Sequence, residues 1–178
     1  MKNYYKALLI SLFATILATS QAAAITTSFT FVNGLLGANE VGPNASAGSG
    51  TINTLEYDSD VGTFGTFTVN VDYTGLTGNA SAAHIHGPAA VGSNGSVFQG
   101  LSETGGTAGN ISGTWTLLSS ADRDNLFNDL AYINLHSESF GGGELRGQLT
   151  PVPEPSTTAA LCGLLALGFA LTRRNRNS

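Results

Sequence analysis

The sequence has 178 residues, enough for one ordinary domain, and its 7 Lys+Arg against 12 Asp+Glu give a formal charge of −5, which argues against a nucleic-acid binder. Only 11% of residues are charged while glycine numbers 23, a composition of short strands and many turns. The charge is unevenly spread: Lys2, Lys6, Arg173, Arg174 and Arg176 lie at the two ends, so residues 25–150 carry −9, with Arg123 and Arg146 among 11 carboxylates and no lysine.

Residues 1–24 read as a secretory signal peptide. Lys2 and Lys6 precede an apolar run over 7–18, and small residues follow, ending in three alanines at 22–24 where signal peptidase would cut. At 12 residues the run is short for a bilayer span.

The body, 25–150, reads as a series of strands. Phe67, Val69, Val71 and Tyr73 alternate with Thr66, Thr68, Asn70 and Asp72, the period of a strand with one face in the core. Further β-rich runs fall at 28–32, 50–57, 83–86, 96–101, 111–118, 132–136 and 144–149, separated by turn-forming clusters such as 92–95 and 104–110. One short amphipathic helix is expected over 121–130, capped by Ser119 or Ser120, with Leu126 and Leu130 one turn apart. About eight strands and one small helix predict an all-β fold, an antiparallel sandwich or barrel.

All three histidines fall in two of these strands. His84 and His86 flank Ile85 and share one face, and His136 shares a face with Asn134. If the two strands are neighbours, three imidazoles converge in a set suited to zinc or copper, with Glu144 or water completing the shell. The alternative is a polar, solvated or hydrogen-bonded face. A hydrolytic role would need a general base, and Glu144 is the nearby candidate. The body has no cysteine nucleophile, Gly-x-Ser-x-Gly elbow or phosphate loop, and the one cysteine, Cys162, lies outside it. Asp58 with Asp60, and Asp122, Asp124 and Asp129, do not match a calcium loop; acidic turns and a helix start explain them. The sequons at Asn44, Asn79, Asn94 and Asn110 read as turn composition.

The ordered blocks Leu36-Gly37-Ala38-Asn39-Glu40-Val41, Gly75-Leu76-Thr77-Gly78, Ala82-Ala83-His84-Ile85-His86-Gly87-Pro88-Ala89, Ile111-Ser112-Gly113, Tyr132-Ile133-Asn134-Leu135-His136 and Gly141-Gly142-Gly143-Glu144-Leu145-Arg146-Gly147-Gln148-Leu149 resemble a CHRD (chordin) domain over about residues 35–149. The resemblance implies an immunoglobulin-like β-barrel or sandwich of secreted proteins. Val41-Gly42-Pro43 stands where a double proline is usual in that family. The His-x-His pair is also similar to that of Cu/Zn superoxide dismutase, whose remaining histidines and disulfide this chain lacks. Glu144, Arg146 and Gln148 alternate with Leu145, Gly147 and Leu149, so a polar face is expected to back onto an apolar one, with Arg146 bonded to Glu144 or to a carbonyl.

After prolines 151, 153 and 155 come an apolar helix over 157–172 and a basic tail, 173–178, with Arg173, Arg174 and Arg176. Val152-Pro153-Glu154-Pro155-Ser156, the short apolar helix and the terminal arginines together resemble a PEP-CTERM sorting signal, here residues 151–178. That resemblance implies recognition by an exosortase, a transient inner-membrane anchor, and release to the surface or matrix of a Gram-negative-type bacterium. The expectation is therefore an exported, surface-sorted CHRD module acting without catalysis in adhesion, exopolysaccharide or matrix association, or binding of another surface protein. The alternative is an extracytoplasmic zinc or copper protein, redox or hydrolytic, built on His84, His86 and His136.

Overall fold

The computed structural model describes residues 25–59 and 63–153. The expected signal peptide and the sorting segment from Glu154 onward, including Pro155, Ser156, the apolar helix and the three arginines, lie outside the described residues. Among the described residues no helix is long and apolar enough to cross a membrane.

Eight strands form: β1 (Thr26–Leu36), β2 (Ser49–Asp58), β3 (Thr66–Thr74), β4 (Ala80–Gly87), β5 (Ser96–Glu103), β6 (Gly109–Thr116), β7 (Tyr132–Ser137) and β8 (Leu145–Pro151). Every neighbouring pair is antiparallel, in the order β1-β2-β3-β6-β5-β4-β7-β8, and β8 returns to β1, so the sheet is a closed barrel rather than two layers of a sandwich. Closure gives every strand a partner on both sides, although β5 meets β6 at only two positions, Ser102 opposite Ser112 and Glu103 opposite Ile111. Alternation along the strands sends Phe67, Val69, Val71, Ile85, Ile133 and Leu135 inward, all at most 1% exposed. At eight strands a barrel interior is just wide enough for such side chains to fill, and each fully buried one contributes roughly 1.5–3 kcal/mol.

The helix, α1 (Ser120–Phe127), joins β6 to β7. Ser119 is the N-cap: its hydroxyl accepts from Asp122 N, and the Asp122 carboxylate accepts from Ser119 N, which satisfies two of the helix's free donors reciprocally. The helix stops three residues earlier than expected, because Asn128 caps it and Asp129 takes a left-handed conformation at φ 59°. Leu126 is buried, and Phe127 packs edge-on to Phe29 at 5.3 Å and Tyr57 at 5.0 Å, seating the helix against the barrel core.

Strand β1 is longer than expected, since its pairing shifts register between Ser28 and Leu36 around Asn33 and Gly34, both at positive φ. It leads into a 3-10 turn, Gly37–Asn39, which begins the connection to β2. That connection and the one between β4 and β5 cover the outer face of β7 and β8. The polar outer face is therefore largely roofed: Asn134, Arg146 and Gln148 are 3%, 1% and 3% exposed.

Candidate metal centre

Strands β4 and β7 are neighbours, with His84 opposite Asn134, His86 opposite Tyr132 and Ala82 opposite His136. Ile85, Ile133 and Leu135 point into the core, so the intervening His84, His86, Asn134 and His136 stand on the outer face. Two residues of offset along the pair bring the three imidazoles together. One ring nitrogen from each lies within 4.8 Å of the others, and His84 Nδ1 is 3.2 Å from His136 Nε2. The rings stand edge-on, His84 to His86 at 84° and to His136 at 70°.

Hydrogen bonds fix two of the tautomers. His86 Nδ1 lies 3.1 Å from Gly95 O, and His136 Nδ1 lies 3.0 Å from Gly141 O. A carbonyl only accepts, so each Nδ1 carries the proton and each Nε2 keeps its lone pair. His86 Nε2 is buried and has no hydrogen-bond partner. Imidazoles held by a backbone carbonyl behind the ring are the usual form of metal-binding histidines. Burial pushes His84 below its ordinary value, with the neighbouring His136 adding to the effect. Burial also lowers His86, outweighing the Gly95 bond, and His84, His136 and Arg146 act in the same direction. Both rings are thus neutral and ready to act as ligands near neutral pH.

A rigid polar layer supports the cluster. Tyr132, between β4 and β8, stacks on His86 at 5.1 Å and 12° and carries the Arg146 guanidinium 3.5 Å from its ring centre. Arg146 donates to Gln148 Oε1 at 3.0 Å and, at 3.4 Å, to Ala90 O and Asn94 Oδ1. Gln148 in turn donates to Ala89 O and Asp129 O, and Tyr132 accepts from Gly95 N, which ties the β4–β5 connection down over the site.

Glu144 does not join the histidines. Its carboxylate accepts from Ser46 Oγ and Thr77 N, each at 2.6 Å, and from Ser137 Oγ. Burial pushes this carboxyl up, but the bonds from Ser137, Ser46 and Thr77 outweigh it and hold it below its ordinary value. Glu144 therefore ties three segments together instead of completing a metal shell, offering a general base or pairing with Arg146.

Glu40 was not singled out by any spacing or charge pattern. It is 8% exposed, and burial raises its pKa to about 7 against the opposing pull of Arg146 and of the Asn134 and Val41 hydrogen bonds. Glu40 Oε1 and Asn134 Oδ1 have no hydrogen-bond partner, and both crowd Gly143, where a Cβ would come within 2.6 Å of the first and 2.4 Å of the second. Beside them opens a pocket of about 510 Å³ whose walls include Glu40, Asn44, Asn94 and Phe140.

A family model described as the CHRD domain matches residues 31–149 of the chain. No curated protein and no solved structure matches it.

Proposed function

The chain belongs to the CHRD-domain family, and from that premise we propose that it is an exported, surface-sorted module that acts without catalysis and holds one zinc or copper ion on His84, His86 and His136. The observation that carries the metal centre is the convergence of three imidazoles, of which His86 and His136 have carbonyl-fixed tautomers and His86 also keeps a buried, unpartnered Nε2. The 3.2 Å between His84 Nδ1 and His136 Nε2 is the chord of an angle of about 103° between two bonds of about 2.05 Å to one ion. The widest separation, up to 4.8 Å, closes to a bonding geometry with ring movement on the order of 1 Å.

Delivery rests on the two ends of the sequence, with signal peptidase and exosortase as processing partners. Cleavage near Ala24 and Pro155 would leave a body of about −10, the −9 of residues 25–150 plus Glu154. Such a surface repels anionic polymers unless a cation bridges them, so a bound metal would favour exopolysaccharide association as well as contact with another surface protein.

Metal analysis of the full chain, with His84→Ala and His86→Ala beside it, tests the centre. One equivalent per chain, lost in both variants, and a melting temperature lowered by chelator are expected. Absence of stoichiometric metal together with chelator-insensitive melting would rule the centre out. Mass spectrometry of surface-recovered protein tests sorting: a C-terminus near Pro155 is expected, and retention of Arg176 would contradict tail removal.

A further inference from the structure

We infer that the three-histidine centre is a copper(I) site, favouring the monovalent ion over both copper(II) and zinc(II). This rests on the reading that the histidines hold a metal at all.

The first ground is donor charge. Among the described residues, no carboxylate or thiolate joins the three imidazoles, and Glu144 is occupied by Ser46, Thr77 and Ser137. Three neutral ligands leave the ion's whole charge uncompensated, +1 for copper(I) and +2 for copper(II) or zinc.

The second is the field that this charge meets. Arg146 is 1% exposed, and its fixed cation lies across the Tyr132 ring that stacks against His86. Coulomb repulsion scales with the ion's charge, so this cation disfavours a divalent ion twice as strongly as a monovalent one at the same position. Partial burial of the histidines works in the same direction, because desolvating a doubly charged ion costs more than desolvating a singly charged one.

The third is coordination. Three imidazoles, with His84 edge-on to the other two, present three nitrogens, and among the described residues no Cys, Asp, Glu or further His joins them. Zinc completes a tetrahedron and copper(II) a tetragonal shell, so each must recruit water to a site that copper(I) fills with protein donors alone. The carbonyls beside the rings, Gly95 O and Gly141 O, are already taken by the imidazole N–H groups. Copper(I) is satisfied by three nitrogens in a near-trigonal arrangement.

Three competition titrations on the full chain decide the matter. Copper(I) is titrated anaerobically with ascorbate against bicinchoninate, copper(II) without reductant against nitrilotriacetate, and zinc(II) against a chromophoric chelator. Copper(I) is expected to bind at least about 100-fold more tightly than zinc and at least about tenfold more tightly than copper(II). Zinc or copper(II) binding as tightly as copper(I) would overturn this inference while leaving the metal centre standing. No binding of any of the three ions would overturn both. Wild-type protein alone gives the ranking, so no outcome depends on a variant that might fail to fold.

Discussion

Glu40 and Glu144 are both buried, yet they ionise in opposite senses, and the difference lies in their donors. Glu144 receives three hydrogen bonds that outweigh its burial; for Glu40, burial outweighs the pull of Arg146 and the hydrogen bonds from Asn134 and Val41. A raised folded-state value means that the folded chain holds a proton which the unfolded chain has lost between pH 4.5 and about 7. Stability therefore falls as pH rises through that window, by up to about 3 kcal/mol, and levels off above it. The lowered histidines contribute the opposite slope near their own range, so the comparison is made against Glu40→Gln, which leaves them in place. Urea titrations of chelated protein at pH 5 and pH 8 should show Glu40→Gln relatively more stable at pH 8, with its amide N–H able to serve Asn134. For Glu144 the sign reverses: its stabilisation is present above the unfolded value and disappears as pH falls through the lowered folded one. Glu144→Gln should cost about 3 kcal/mol at pH 7 by the same titration and leave copper and zinc affinities unchanged, since the carboxylate serves Ser46, Thr77 and Ser137 rather than an ion.

At the scale of elements, α1 depends on its reciprocal cap. Removing the Ser119 hydroxyl leaves Asp122 N without its acceptor, so Ser119→Ala should destabilise the chain by about 1 kcal/mol in thermal or urea unfolding, with the barrel otherwise intact. Strands were the most legible part of the sequence, because period-two alternation such as Phe67 to Tyr73 follows directly from one buried face. The sharing of a face by His84 and His86 followed from the same rule, but the adjacency of β4 and β7 did not, since pairing across 50 residues is set by the whole barrel. Closure was equally invisible: a sandwich and a barrel bury the same alternating pattern and differ in whether β8 meets β1. Glu144 was misread because alternation places it in line with Arg146 and cannot show Ser46 and Thr77 arriving from distant connections to claim it. Glu40 stood alone between a 3-10 turn and Gly42, with no periodicity to betray its burial.

For the whole molecule, electrostatics is dominated by like charge. Residues 25–150 hold 11 carboxylates and two arginines; Arg146 is buried, and Arg123 pairs with Asp124 at 3.6 Å, largely in solvent where such a pair adds little. The remaining acids repel one another over a screening distance that shortens from about 30 Å at 0.01 M salt to about 8 Å at 0.15 M. Raising sodium chloride across that range should lift the melting temperature of the chelated protein by roughly 3 °C in a scanning calorimeter.

The seam between β1 and β8 has a mechanical consequence. Phe29 faces Pro151, and Val152 N bonds Ser28 O at 2.8 Å, so the first and last strands run antiparallel with the chain entering and leaving at one rim. Tension between the two ends would part their rungs one after another, as a zipper opens, at low force. Tension entering at Val152 and leaving through the histidine face is different. Arg146, opposite His84's partner Asn134, lies on the order of 20 Å back along the chain from Val152. A tethered module pulled by its ligand would load the intervening rungs of that strand together, in shear, the direction in which a sheet resists most.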